Sequence, residues 1–86
     1  MASIQEIKAQ IEGAKHSAQQ AVRALAAVNS QLDTAIQQIQ AAAQGTSHDK
    51  VKESLAGFHA AKEKVGEVQS SIGAGVKSAS DYQSHI

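Results

Sequence analysis

Apolar residues return every three or four positions along this chain, in one run of six heptads and then, after a break, in a second run of similar length. With heptad positions a to g counted from Ile4, the a sites continue as Ile11, Ala18, Leu25, Leu32 and Ile39, and the d sites are Ile7, Ala14, Ala21, Val28, Ala35 and Ala42. A seam that repeats about every 3.5 residues over this length predicts a long helix packed along one stripe against another helix. The second run places Val51, Phe58, Val65, Ile72, Ala79 and Ile86 seven residues apart, flanked by Leu55, Ala61, Val68, Val76 and Tyr82.

Capping chemistry sets the expected ends. Ser3 followed by Glu6 fits a capping box, so the first helix should begin at Ile4. No proline interrupts the stretch to Gln44, where Gly45 can take the left-handed conformation that closes a helix. Thr46 and Asp49 repeat the cap pattern, and Asp49 puts negative charge at the positive end of the next helix dipole. The expected organisation is one domain over residues 1–86: a helix over 4–44, a turn over 45–47 and a helix over 48–84. So short a turn joins antiparallel neighbours, which makes the fold class all-α, an antiparallel two-helix hairpin of coiled-coil type with each helix about 60 Å long.

Folding about the turn pairs positions whose numbers sum to roughly 90. Ile39 then meets Val51, Ile36 meets Leu55, Leu32 meets Phe58, Val28 meets Ala61, Leu25 meets Val65, Ala18 meets Ile72 and Ile7 meets Tyr82. Large residues repeatedly face small ones, as interdigitating layers require. The bulk of the expected seam is Leu25, Leu32, Ile39, Val51, Leu55, Phe58, Val65 and Ile72. Gly73 and Gly75 fall opposite Ala14 to Ala21, which predicts the closest backbone approach there and makes the second helix the weaker one.

Composition then removes classes of function. A chain of 86 residues with 2% aromatic residues and no Trp cannot build a thick core. Eight Lys plus Arg balance eight Asp plus Glu, which argues against a surface that tracks phosphates and so against nucleic acid. The balanced charge and small apolar residues also lack the basic face and bulky anchors of a membrane-surface helix. There is no cysteine, hence no disulfide framework or thiolate site. The first residues have neither the basic nor the apolar stretch of a secretory signal, and no apolar run is long enough to span a bilayer. The expected location is the cytoplasm at synthesis, with export lacking a cleavable signal left open.

Candidate chemistry is thin. Glu12 and His16 are one helical turn apart, but a metal site needs three or four ligands. His48 and Asp49 are adjacent and do not face each other on a helix, and His59 and His85 stand alone. The glycines are isolated rather than gathered into a phosphate loop. No catalytic residue, metal or cofactor is expected. Tyr82 reads as a cap on the seam opposite Ile7.

The first helix has apolar residues outside its a and d sites, and between Ala24 and His48 its one charge is Asp33. Two helices cover only one face of each other, so a surface around Val22, Ala26, Ile36 and Ala43 is expected to receive a protein partner. That partner would be a second copy or a related hairpin, giving a four-helix bundle. The function expected is that of a non-enzymatic interaction module: an adaptor, a chaperone-like companion or a secreted partner protein. The alternative is a structural subunit of a larger assembly. Against the interface reading stand two simpler ones: Ala and Gln are good helix formers on a wet face, and Ile36 can pair with Leu55 within one chain.

In length, in its two matched helices and in its lack of cysteine, the whole chain resembles the small helical hairpins of type VII secretion, the Trp-X-Gly family; its Ala-rich style, its turn of Gly45, Thr46, Ser47 and His48, and Tyr82 near the end are similar to short actinobacterial hairpin proteins. The resemblance implies a hairpin that works with a partner and is exported without a cleavable signal. Gln44, Gly45, Thr46 and Ser47 stand where that family carries Trp-X-Gly, and Ile86 stands four residues after Tyr82 where it carries an acidic residue. No functional residue is carried across by either likeness.

Overall fold

A computed structural model describes residues 3–45 and 48–86. They form two helices, α1 (Ile4–Ala42) and α2 (Asp49–Ser84), laid antiparallel as a hairpin of 65 × 17 × 15 Å. Ser3 caps α1 as its sequence predicts: its backbone is extended and its hydroxyl accepts from the Glu6 amide at 3.1 Å. The helix stops at Ala42, two residues before the expected Gln44. The amides of Ala43 and Gln44 turn back to the carbonyls of Ile39 and Ala41, and Gly45 then takes φ +84°, the left-handed closure expected of it. Thr46 and Ser47, which carry part of the expected turn and second cap, lie outside the described residues. The cap seen on α2 is His48, whose Nδ1 accepts from the Lys50 amide at 3.0 Å, with Asp49 in the first turn.

The seam is shifted from its expected position. Ile11, Ala18, Leu25, Leu32 and Ile39 are half-buried, as a seam row requires, but the row that alternates with them is Lys15, Val22, Asn29, Ile36 and Ala43. Of the residues expected at d, Ala14, Ala21, Val28 and Ala42 are exposed, while Ile7 and Ala35 are half-buried. In α2 the inner rows are Val51, Phe58, Val65, Ile72 and Ala79 alternating with Leu55, Lys62, Gln69, Val76 and Gln83: Leu55 and Val76 flank the first row as expected, whereas Val68 and Tyr82 are exposed. The spacing is still a regular four–three heptad, in α1 one residue out of the expected frame. Volume accounts for it. In α1 the expected second row is mostly Ala, whereas the observed one supplies Val22, Ile36 and the aliphatic stem of Lys15; from α2 the stems of Lys62, Gln69 and Gln83 fill the gap with their polar heads at its rim.

Ile36 is the one fully buried hydrophobic residue among those described, at 6% exposure. It lies in the thickest part of the seam, where Leu32, Ile39, Leu55 and Phe58 are also placed. Toward the open end the seam thins to Ala18 and Ala79. The close backbone approach expected at Gly73 and Gly75 does not occur: a Cβ on either would meet no atom within 4 Å. Their absent side chains leave space in place of tight packing.

Candidate interaction surface

The four residues expected to receive a partner do not form one outward surface. Val22 and Ala43 are half-buried and Ile36 is buried, and in a two-helix molecule only the opposite helix can cover them. Ala26 is exposed, on the edge that also carries Asp33. The simpler pairing of Ile36 within its own chain is therefore the observed one. The eight residues expected to supply seam bulk, Leu25, Leu32, Ile39, Val51, Leu55, Phe58, Val65 and Ile72, are all half-buried.

Polar side chains in the shifted rows tie the helices together. Gln69 Nε2 donates to the Val22 carbonyl oxygen at 3.3 Å, and Gln83 Nε2 to that of Lys8 at 3.3 Å. Lys15 Nζ donates both to Glu12 Oε1 at 3.0 Å and to Gln83 Oε1 at 3.1 Å. Hydrogen bonds from Lys15 and Gln83, with the Lys15 charge behind them, hold the Glu12 carboxyl below its ordinary range. Lys62 pairs with Asp33 across the hairpin. In this register Asn29 shares a layer with Lys62, and Asn29 Oδ1 is buried without a hydrogen-bond partner. None of these polar seam positions was anticipated. Their signal was present, since each stands seven or fourteen residues from another of its row, but polar residues do not register in a search for apolar repeats.

The apolar residues displaced from the seam form a surface of their own. One flanking row runs along α1 from Ile7 through Ala14, Ala21, Val28 and Ala35 to Ala42, and a matching row runs along α2 through Ser54, Ala61, Val68, Gly75 and Tyr82; Ile7, Ala35, Ser54 and Ala61 are half-buried and the others exposed. The register set by Gln69 and Val22 lays them side by side, with Ala14 by Gly75, Ala21 by Val68 and Val28 by Ala61. Neither row contains a charge. Val28, Val68 and Tyr82 are 40%, 47% and 56% exposed, so Tyr82 and Val28 flank the seam and do not cap or fill it. Where the rows are smallest, Ala14, Ala18, Ile72, Gly75, Val76 and Ala79 line an open groove of about 320 Å³, with the half-buried stem of Lys15 along it. The rows on the other side of the seam are different in kind: they hold Glu12, Asp33 and Lys52.

No family model, curated protein or solved structure matches this chain. Its own geometry is thus what bears on function. Among the described residues no group of three or more metal-ligating side chains comes together. His16 and His59 are exposed, His48 serves as the cap of α2, and His85 Nδ1 donates to the Asp81 carbonyl oxygen at 2.6 Å. No helix of the described residues is long and apolar enough to cross a membrane.

Proposed function

We propose that this chain is a non-enzymatic helical interaction module, an adaptor or chaperone-like companion that acts by packing its hairpin against another protein. The observation that carries this reading is the area left open. The molecule exposes 6180 Å², whereas a compact folded chain of its mass, 8.9 kDa, exposes about 4,800 Å². With a single fully buried apolar residue among those described, the hairpin gains little by folding alone. A partner that covers one side supplies the missing burial and raises stability by mass action. The resemblance to secretion hairpins supports the same kind of role, a small helical protein that travels or works as part of a pair.

The test is purification of the untagged protein from its native host, followed by mass measurement of the intact species. A defined complex, with itself or with another chain, is the expected result. A chain that is monomeric in the host extract and melts cooperatively at nanomolar concentration would refute the reading, because it would need no partner to fold.

A further inference from the structure

We infer that a second copy of this chain docks on the uncharged face made by the Ile7-to-Ala42 and Ser54-to-Tyr82 rows, so that two hairpins stack as a four-helix bundle. The inference rests on the interaction-module reading and names its partner and its surface.

Three observations converge on this face. First, it is where the exposed large apolar residues gather: Val28, Val68 and Tyr82 lie on it, while the remaining one, Ile4, sits at the end of the seam. An uncharged face of this length that exposes its large apolar residues is a binding surface by default. Second, the area is right for a dimer. From Ile7 to Ala42 the face runs about 52 Å at helical rise, and the hairpin is 15 to 17 Å across. The product, about 800 Å², is what one partner contributes to a standard-size interface.

Third, the face suits a copy of itself. A two-fold axis brings a surface against the same surface, so any charge on it meets its own image or its near neighbours. These rows carry no charge, and the cation beside them, Lys15 along the groove, is already paired with Glu12. Stacking through the opposite side would desolvate Glu12, Asp33 and Lys52, a cost that a hydrocarbon contact does not incur. Small residues between the larger ones let helices approach, and adding one flanking row to a two-row seam widens the apolar arc from that of a two-stranded contact to that of a bundle.

The test uses the purified chain and sedimentation equilibrium across a concentration series. The expected result is a mass rising from 8.9 kDa to twice that value, with a melting temperature that rises in parallel. Val28→Lys and, independently, Val68→Lys should each weaken self-association about tenfold or more, since each puts a charge at the centre of the interface. Ala26→Lys, on the opposite side, should leave it unchanged. Both face variants should keep the helicity of the wild-type monomer at the lowest concentration, which separates loss of docking from loss of folding. A wild-type chain that stays monomeric at high micromolar concentration overturns the inference. So does an Ala26→Lys effect as large as that of Val28→Lys. If the host complex then contains a different chain, the interaction role stands and only self-docking falls. Co-flotation with phosphatidylglycerol vesicles, lost in Val28→Lys, would assign the face to a lipid surface and overturn it as well.

Discussion

Asn29→Leu should stabilise this protein, and the reason is specific to the shifted seam. Asn29 Oδ1 is buried with no hydrogen-bond partner, a state that costs about 1–3 kcal/mol wherever a polar group loses its water without replacement. Leu removes that cost, keeps the number of side-chain heavy atoms and the branch at Cγ, and adds apolar contact to a layer that otherwise holds the stem of Lys62. The Lys62–Asp33 pair is untouched, because Asn29 takes no part in it. A gain of this size in a chain of 86 residues corresponds to a rise in melting temperature of about 4–24 °C. The assay is thermal unfolding by circular dichroism at the lowest usable concentration, so that association does not contribute, with Val28→Ala as the companion. Val28 is 40% exposed, and Ala is the better helix former by a few tenths of a kcal/mol, so this change should be close to neutral in the monomer. The opposite ranking, Asn29→Leu without effect and Val28→Ala clearly destabilising, would put Val28 in the seam and refute the assigned frame. A second consequence follows from what polar core residues do. A lone Asn or Lys in a seam disfavours slipped registers, so cysteines placed at Leu25 and Val65 should crosslink cleanly in the natural background and less exclusively once Asn29 is Leu.

Ile36→Ala removes three carbons from the most buried side chain, about 2.4 kcal/mol by transfer alone and about 2–4 with partial collapse of the site, against a total of about 4–13 for a domain of this length; urea unfolding should register it while Gln37→Ala, on the exposed side of α1, shifts the midpoint little. Gly73→Ala should stabilise by about 0.5–1 kcal/mol, because the added Cβ meets nothing within 4 Å; a loss of stability in thermal melts would mean that α2 packs more closely there than described.

The hairpin was legible in the sequence because its determinants are local. Ser3 and Glu6 start α1, Gly45 closes the chain reversal, Asp49 charges the start of α2, and two seven-residue rows of large apolar residues, from Ile11 to Ile39 and from Val51 to Ile72, were assigned to the inner side where they lie. The companion rows were misassigned because Ala14, Ala21 and Val28 outrank Lys15, Val22 and Asn29 in apolarity while falling short of them in reach. Which row turns inward is decided by the width of the gap between helices, a property of both strands of the pair and of neither alone. The same phase bears on the candidate surface: with Ala21 read as inside, Val22 falls outside, whereas it is Val22 that is half-buried and Ala21 that is exposed.

The unequal thickness of the seam gives the molecule a direction. Its bulky layers, Ile36 with Leu55 and Leu32 with Phe58, lie a few turns from the chain reversal, where closing the loop between them costs least entropy, whereas Ala18, Gly75 and Ala79 near the free ends contribute little contact. Such a chain closes like a zip from the bend outward, with local contacts forming early and the ends last. Amide exchange should therefore be slowest around Ile36 and Phe58 and quicken steadily toward Ile7 and Tyr82; uniform protection along both helices would contradict this. A protein built in this way would part first at its two termini, held there by Gln83 on Lys8 and Lys15, while its bend stays shut.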